Sequence, residues 1–392
     1  MNRAGGAERY CLEMLDTLVK NGYKVRLYTI DQTDWEMIQR THNLSTRARK
    51  EIYLQSNPLE PNGILSWIKT ALAYTWLLIQ ATEESDICIN NYGEIMPFFA
   101  QVSVVHSVPM SSITGNHYNI PLWGLVRRGY ITLFRYLEEK HGSKVIIINS
   151  KYNAENLNKK RAIVIIHPPV QLPQITQVEK NGEILTVSRI KLSKNLRKIA
   201  EIASTSPRNR FNLAGKTERG SERFINELRR FKNVEVYTNP NRDTVLNLRN
   251  ECSIYLSTQT NEAFGMAIVE ALSLGCIPLI YRDGGPWLDI FEEQEDIGLA
   301  YTNTDEAINK IKRILEDEEL RSRLRENGAE RAKEYTSTRF RARFLEFIDT
   351  LEPQGKQDTQ IFRSYRWLIN LKRRLKNPMT RLRATRVPLL RR

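Results

Sequence analysis

The feature that most constrains the fold is a regular alternation of short apolar runs and amphipathic stretches in the second half of the chain. Strand-like runs lie at 184–187, 210–214, 234–237, 253–257 and 277–281, and helix-like stretches at 195–203, 222–231, 242–250, 265–274 and 305–315. Parallel strands joined by helical crossovers form a sheet that is covered on both faces. The sequence therefore predicts a doubly wound α/β domain.

The first half of the chain repeats this pattern less regularly. A helix-like run at 7–20 is followed by strand-like runs at 24–30, 86–90, 101–106, 144–149 and 163–166. The proline-rich segment 167–173 then stops regular structure. Because 392 residues exceed the size of one hydrophobic core, we expect two doubly wound domains, at 1–172 and 173–351, and a tail at 352–392.

The positive charge of the chain is concentrated in this tail. Residues 359–392 hold eleven Lys or Arg and no acids, which leaves +3 of the net +14 for residues 1–358 (14 − 11). Leucine and aromatic side chains recur among these cations at near-helical spacing, which is typical of a helix on an anionic membrane surface. A solvated, disordered tail and a nucleic-acid-binding segment are the alternatives.

Cysteine usage and the apolar segments bear on the compartment. The four cysteines are far apart, which argues against a disulfide framework or a zinc site, and no signal peptide is recognisable at the N-terminus. We expect a cytoplasmic protein, peripheral on the inner face of the membrane, with no metal and no cofactor. The 18-residue apolar run at 64–81 fits a buried or membrane-facing helix better than a span, because polar residues interrupt it.

The residues most indicative of chemistry lie at 261–278. Glu262 falls in a loop after a predicted strand, Gly265 opens a helix, and Glu270 lies on that helix. The first-turn N–H groups of such a helix attract a diphosphate, and carboxylates bind neutral hydroxyls strongly. We therefore expect Glu262 to hold sugar hydroxyls and Glu270 a ribose; the alternative is that both are solvated surface acids.

This segment resembles the E-x7-E motif of the large retaining glycosyltransferase family 4. Four further stretches resemble that family, at 5–9, 149–150, 168–170 and 187–189 with 194–195, so that the resemblance runs from residue 1 to about 350. It implies two facing Rossmann-like domains, the GT-B fold, and a metal-independent hexosyltransferase that uses a nucleotide diphosphate sugar.

The resemblance also implies roles for individual residues. Arg189 and Lys194 would neutralise the donor diphosphate, and fixed cations there stabilise the charge that develops on the leaving group. His106, at the end of a predicted strand, would contact the transferred sugar, although a histidine hydrogen-bonded at a strand end is the alternative. The remaining donor-binding candidates are Gly6, Phe264, Gly265 and Met266.

Two segments resemble a narrower group, the mannosyltransferases that extend lipid-linked oligosaccharides. They are the run that contains His106 at 104–109, and 281–290, with a Gly-Gly-Pro-Trp-Leu-Asp sequence. The resemblance implies transfer of mannose from GDP-mannose to a saccharide or polyprenyl-linked acceptor at a membrane surface. The alternatives are a nucleotide-sugar epimerase of the same fold and a non-catalytic protein associated with a membrane or with nucleic acid.

The start of the chain departs from the family pattern. Family members begin with a strand before the glycine loop, whereas only four residues precede Gly5 here. We therefore expect the first strand of the N-terminal domain to be missing, whether because the true start lies upstream or because the chain is a fragment or a weakened enzyme. Unpaired neighbouring strands would lose buried hydrogen bonds, at about 1 to 3 kcal/mol each.

Overall fold

Strands and helices alternate along most of the chain. The structure, a computed structural model, describes residues 5–44, 46–55, 64–107, 123–155, 157, 161–173, 179–191, 194–218 and 220–353. These ranges do not include the basic segment 359–392 or residues 108 and 109, so the predictions made on them stay predictions.

The N-terminal domain contains six strands and five helices in the described ranges. In chain order they are α1 (Gly6–Lys20), β1 (Arg26–Asp31), α2 (Trp35–His42), β2 (Lys50–Gln55), α3 (Ile64–Glu84), β3 (Ile89–Asn90), β4 (Val102–Val105), α4 (Trp123–His141), β5 (Val145–Ile148), α5 (Lys151–Glu155) and β6 (Ala162–Ile165). The last four strands form one parallel sheet in the order β3-β4-β5-β6.

The first two strands of this domain form a separate sheet. β1 and β2 pair with each other in parallel, and among the described residues neither pairs with β3 to β6. Residues 1–4 are outside the described ranges, so the expectation of a missing first strand stays a prediction.

The C-terminal domain is built on a wider sheet. Its elements are β7 (Ile184–Val187), α6 (Arg197–Thr205), β8 (Phe211–Gly215), α7 (Glu222–Leu228), β9 (Val234–Thr238), α8 (Arg242–Glu251), β10 (Ile254–Ser257), α9 (Met266–Ser273), β11 (Ile277–Tyr281), a π-helix (Pro286–Ile290), β12 (Leu299–Tyr301), α10 (Thr304–Glu316) and α11 (Glu318–Lys333). The six strands are parallel in the order β12-β11-β10-β7-β8-β9.

Both faces of this sheet are buried. Neighbouring residues of a strand point to opposite faces, and accordingly Ile184 packs with α6 and α10 whereas Leu185 packs with α9 and Phe291. The strands read as continuous apolar runs for this reason. The prediction of a doubly wound α/β architecture is confirmed.

A final helix returns to the first domain. In α12 (Ser337–Asp349), Phe340 and Phe344 share a core with Tyr10 and Met14 of α1. The predicted range 173–351 therefore includes a helix that packs on the N-terminal domain. Where the chain returns, it runs beside the first connection, because the N–H of Val170 donates to the carbonyl of Tyr335 over 2.8 Å.

Helix α3 covers the apolar run at 64–81. Within the residues that the structure describes, no helix is both long enough and apolar enough to cross a membrane.

Candidate functional site

A cavity of about 500 Å³ lies between the two domains. From the N-terminal domain it is lined by Gly6, Ala7, Tyr10, His106, Ser107 and Asn149, and from the C-terminal side by 186–189, Lys194, Tyr255, 257–259 and 261–268. The C-terminal residues lie at or after the carboxyl ends of β7 and β10, which is where doubly wound sheets bind ligands.

The loop at 258–265, here called the Glu262 loop, joins β10 to α9. It ends at Gly265, whose φ of +101° lies in the left-handed region. A Cβ at this position would lie 2.8 Å from Ile268 Cδ1 and 3.1 Å from Pro286 Cγ, so a side chain is excluded by both conformation and space. Gly265 thus allows the chain to enter α9 directly from the cavity wall.

Lys194 and Glu262, both predicted site residues, contact each other. The Nζ atom of Lys194 lies 3.1 Å from Glu262 Oε2 and also donates to Gln259 Oε1. Both side chains are largely buried, at 17% and 25% exposure. The structure thus places a cation and a carboxylate together on one wall of the cavity, each available to a polar ligand.

Arg189 lies at the rim of the same wall. Its guanidinium is 3.2 Å from Glu218, and its side chain is 61% exposed. It lines the cavity, but it is held less firmly than Lys194, because an exposed ion pair is screened by water.

Unlike Glu262, Glu270 does not face the cavity. It forms a 2.5 Å ion pair with Arg249 of α8, and it is not among the residues that line the described cavity. It lies five residues into the helix that begins at Gly265, on the side of α8. Binding of a ribose by Glu270 stays a prediction.

Helix α1 brings the opposite wall into contact with the Glu262 side. Gly6 is its first residue, and a Cβ there would lie 3.2 Å from the sulfur of Met266, the first residue of α9. The starts of two helices from different domains therefore meet in the cavity. Because first-turn N–H groups have no intrahelical acceptor, this meeting point favours an anion.

His106 lies on the N-terminal wall, next to Tyr10. Its Nε2 is 3.1 Å from Asn91 Oδ1, and Asn149 Nδ2 donates to its carbonyl over 2.8 Å. Burial lowers the pKa of His106 to about 4. His106 is therefore a neutral hydrogen-bonding group at physiological pH.

Two carboxylates lie behind His106. The side chain of Glu94 accepts from the backbone N–H of His106 over 3.4 Å, and burial raises its pKa to about 7. Glu8 accepts from the backbone N–H of Gly5 and from the hydroxyl of Tyr92. His106 is linked to the start of α1 through Asn91, whose Nδ2 donates to the carbonyl of Ala7 over 3.2 Å.

Phe264 is buried and packs in the core beneath the cavity. Its ring stacks on that of His167, with centroids 5.4 Å apart, and meets the ring of Tyr335 at 5.2 Å. The site thus brings together Gly6, His106, Arg189, Lys194, Glu262, Phe264, Gly265 and Met266, whereas Glu270 lies just outside.

Some residues at the site were not identified from the sequence. Gln259 follows the end of β10, a position from which side chains reach the cavity, so its place in the chain could have indicated it. Asn91 gave no such signal, because its contact with His106 depends on the fold that brings the two side chains together. In the described residues no three His, Cys, Asp or Glu side chains gather in a way that could hold a metal ion.

Comparison with known proteins agrees with this geometry. Residues 171–331 match the model of the family described as glycosyl transferases group 1. They cover β7 to α11, together with the Glu262 loop, Lys194 and Arg189. The N-terminal wall of the cavity lies outside the match.

The relatives of known activity share one name. A "GDP-Man:Man(3)GlcNAc(2)-PP-Dol alpha-1,2-mannosyltransferase" of Dictyostelium discoideum is 23% identical over 58% of this chain and 51% of its own length. The human protein of that name is 30% identical over 36% of this chain and 30% of its own length. The matched stretch thus spans about half of the first relative and less than a third of the second.

Solved structures match nearly the whole chain. The Anabaena protein HepE in complex with UDP has a TM-score of 0.66 at 16% identity, over 90% of this chain and 98% of its own. A sucrose-phosphate synthase from Thermosynechococcus elongatus has a TM-score of 0.62 at 15% identity, over 87% and 92%. The chain therefore has the GT-B fold, and its residues 171–331 match the family of glycosyl transferases group 1.

Proposed function

We propose that this chain is a retaining hexosyltransferase of family 4 that transfers a sugar from a nucleotide diphosphate to an acceptor, without a metal. The observation that carries the proposal is the meeting of α1 and α9 beside Lys194 in one interdomain cavity. A diphosphate bound there would contact two helix starts and a fixed cation, which together offset its charge.

The bound donor would lie between the two walls. In this arrangement Lys194 turns from Glu262 to the diphosphate, and Glu262 is left to accept hydrogen bonds from sugar hydroxyls. Arg189 approaches the phosphates from the rim. Glu270 would exchange its contact with Arg249 for one with the ribose. This requires only a change of partner at the surface formed by α8 and α9.

The transfer itself would need few protein groups. The diphosphate leaves from an oxocarbenium-like sugar carbon, and the acceptor hydroxyl bonds to that carbon from the same face. Its proton passes to a phosphate oxygen of the leaving group, so no side-chain base is obligatory. His106 would bind a sugar hydroxyl as a neutral group, because its low pKa keeps the ring unprotonated, and so it would not compete with Arg189 and Lys194 for the diphosphate.

The donor that we favour is GDP-mannose. Support comes from the relatives, which are named for GDP-Man and for mannosyl transfer, and from the resemblance of 281–290 to that group. The solved structures include complexes with UDP and UDP-glucose, so both bases belong in the test. The transferases among these comparisons do not favour the epimerase alternative.

The acceptor that we favour is a saccharide or a polyprenyl-linked glycan at the cytoplasmic face of a membrane. The relatives are named for a dolichol-linked glycan, and the basic segment 359–392 suits an anionic lipid surface. A role in polysaccharide or glycolipid biosynthesis would follow. No nucleic-acid partner is proposed.

Thermal stabilisation by a panel of GDP- and UDP-sugars tests the donor. A ligand at 100 times its dissociation constant adds about 2.7 kcal/mol to the free energy of unfolding, so we expect a clear rise in Tm with one of them, GDP-mannose first. If no nucleotide sugar raises Tm while anionic vesicles or RNA bind in a salt-sensitive way, the protein is a non-catalytic binder instead.

Glu262→Ala tests the site with the donor so identified. We expect turnover to fall by about 10²- to 10³-fold, as for loss of one group that binds the transition state, while Tm without ligand changes little. Glu227→Ala, at an exposed glutamate of α7, is the matched control and should keep full turnover. A fully active Glu262→Ala protein would remove Glu262 from the mechanism.

A further inference from the structure

The Gly-Gly-Pro-Trp-Leu-Asp segment at 284–289 lies directly behind the Glu262 loop. The N–H of Gly285 donates to the carbonyl of Glu262 over 2.8 Å. A Cβ at Gly284 would lie 2.6 Å from that same carbonyl oxygen, and one at Gly285 would lie 2.2 Å from the carbonyl oxygen of Ala263. Both glycines are thus needed for the backbones to touch, and the loop rests on this segment.

From these glycines the chain continues into the π-helix, a rare form that often occurs at functional positions. It buries Asp289 completely, with its carboxylate pointing into the N-terminal domain. Oδ1 accepts from the backbone N–H of Lys151 over 2.7 Å and lies 2.8 Å from Nε2 of His167, and Oδ2 accepts from the N–H of Tyr152 over 3.4 Å. A single side chain thereby joins the two domains.

The partners of Asp289 contact the Glu262 loop on both sides of Glu262. The hydroxyl of Tyr152 donates to Asn261 Oδ1 over 2.7 Å, and the ring of His167 stacks on Phe264. The loop is consequently fixed to the N-terminal domain on either side of Glu262.

The same part of the N-terminal domain also holds His106. Lys151 and Tyr152 begin α5, and Asn149 and Asn153 beside them donate to the carbonyl of His106 over 2.8 and 3.4 Å. Hydrogen bonds connected through the backbone of residues 149–153 therefore lead from the Glu262 loop and Asp289 to the carbonyl of His106.

We propose that Asp289 is a positioning residue that fixes the separation of Glu262 and His106 across the cavity by tying the Glu262 loop to α5. Asp289 itself does not line the cavity. The proposal rests on the proposed function for its catalytic consequence, but the mechanical tie exists whether or not sugar is transferred. Displacement of reacting groups by about 1 Å can lower a rate about 100-fold.

Hydrogen exchange in Asp289→Asn tests the tie without any activity. We expect faster exchange at 150–155 and also at 258–265, because loss of the carboxylate weakens the contacts of residue 289 with α5 and with His167. The Tm should be retained, because the amide has the same shape. Glu292→Gln is the matched control: it removes a carboxylate three residues away that pairs with Arg331 inside the same domain, and it should change neither segment. Unchanged exchange at 258–265 in Asp289→Asn would overturn the proposal.

Kinetics then test the consequence. We expect Asp289→Asn to lower kcat by about 10- to 100-fold while the KM for the donor stays within about threefold, because the donor contacts belong mainly to the C-terminal domain. In a His106→Ala background the further loss should be much smaller, because groups that act as a unit are non-additive. Equal losses in both backgrounds would refute coupling to His106.

Tyr152→Phe removes the hydrogen bond from Tyr152 to Asn261. Because Tyr152 is not buried, we expect the variant to fold. It should speed exchange at 258–265 alone and lower kcat by less than Asp289→Asn does. If the wild-type protein transfers no sugar at all, the proposed function fails, whereas the exchange result still decides whether Asp289 holds the loop.

Discussion

Lys194 and Glu262 illustrate how a binding site is arranged before its ligand arrives. Each would be costly to bury alone, and their contact compensates both charges. A diphosphate can replace Glu262 as the partner of Lys194, and a sugar hydroxyl can replace Lys194 as the partner of Glu262. Neither charge is then left without a partner when the ligand binds. Selection of a ligand that carries both groups follows from this pairing.

Glu94 makes the stability of the protein depend on pH. Burial raises its pKa from 4.5 to about 7, so the folded chain keeps a proton that the unfolded chain has already lost. The free energy of unfolding therefore falls as pH rises through this window. His106, with its pKa lowered to about 4 by burial, has the opposite effect between its ordinary value of 6.5 and 4.

Glu94→Gln cannot titrate and should escape this loss. Relative to the wild-type protein, we expect its free energy of unfolding to rise by roughly 1 to 3 kcal/mol between pH 5 and pH 8. Urea unfolding at a series of pH values measures the difference. Parallel curves for the two proteins would mean that Glu94 is ionised throughout.

Single residues were predictable where their position in the chain implies their position in the fold. Lys194, Glu262 and Gly265 follow strand ends and open onto the cavity, as expected. Asn91 was not predictable, because its contacts with His106 and with the carbonyl of Ala7 exist only once the fold brings them together. Asp289 belongs to the segment 281–290 that the sequence singled out, but its partners in α5 could not be predicted. Glu270 was assigned from its place on the helix after the loop and from the family resemblance, and neither shows that Arg249 faces it.

At the scale of elements, the start of α9 depends on one backbone conformation. Gly265 adopts φ of +101°, and its side-chain position is filled by Ile268 and Pro286. Pro286 begins the π-helix, so the donor-facing helix and the segment that carries Asp289 are packed together at this glycine.

Gly265→Ala should therefore cost about 1 to 3 kcal/mol of stability and also weaken donor binding by displacing the start of α9. Gly22→Ala is a matched control, since Gly22 has φ of +85° but nothing within 4 Å of its side-chain position. We expect Gly22→Ala to lose stability from conformation alone and to keep its donor affinity. Equal donor affinity in both variants would show that α9 does not move.

Elements of the C-terminal domain were largely predictable, since buried parallel strands read as short apolar runs. β7 and β11 have the predicted bounds, and β8, β9 and β10 differ by one residue at one or both ends, whereas β12 and α11 were not predicted. β2 was not predicted, because its charged and polar residues break the apolar run at 50–55. The docking of α12 was also missed, although Phe340, Phe344 and Phe347 recur at helical spacing and indicate a buried face.

At the scale of the whole molecule, α1 and α12 are joined by a buried charge network. Glu13 is fully buried and accepts from Arg9 over 2.6 Å, from Ser337 over 2.7 Å and from Arg341 over 2.9 and 3.0 Å. Because α12 follows the C-terminal domain in the chain, this network fixes the returning helix to the N-terminal domain.

Glu13→Ala would leave the buried Arg9 without its carboxylate partner, whereas Arg341 would keep its contact with Asp16 at 3.0 Å. We expect a loss of about 3 to 5 kcal/mol, as is typical when one member of a buried pair is removed. Urea unfolding measures it, with Glu334→Ala as control, since the contact of Glu334 with Arg339 is exposed and worth about 1 kcal/mol or less. Equal losses in the two variants would contradict a structural role for the network.

The return of the chain has a further consequence for motion. The two connections between the domains lie side by side, held by the hydrogen bond from Val170 to Tyr335. Two adjacent attachments leave rotation about the axis that runs along them, and they resist sliding and twisting. Any opening of the cleft must therefore break the contacts of Asp289 with α5, and a cleft that closes again about this axis brings its two walls back to the same alignment.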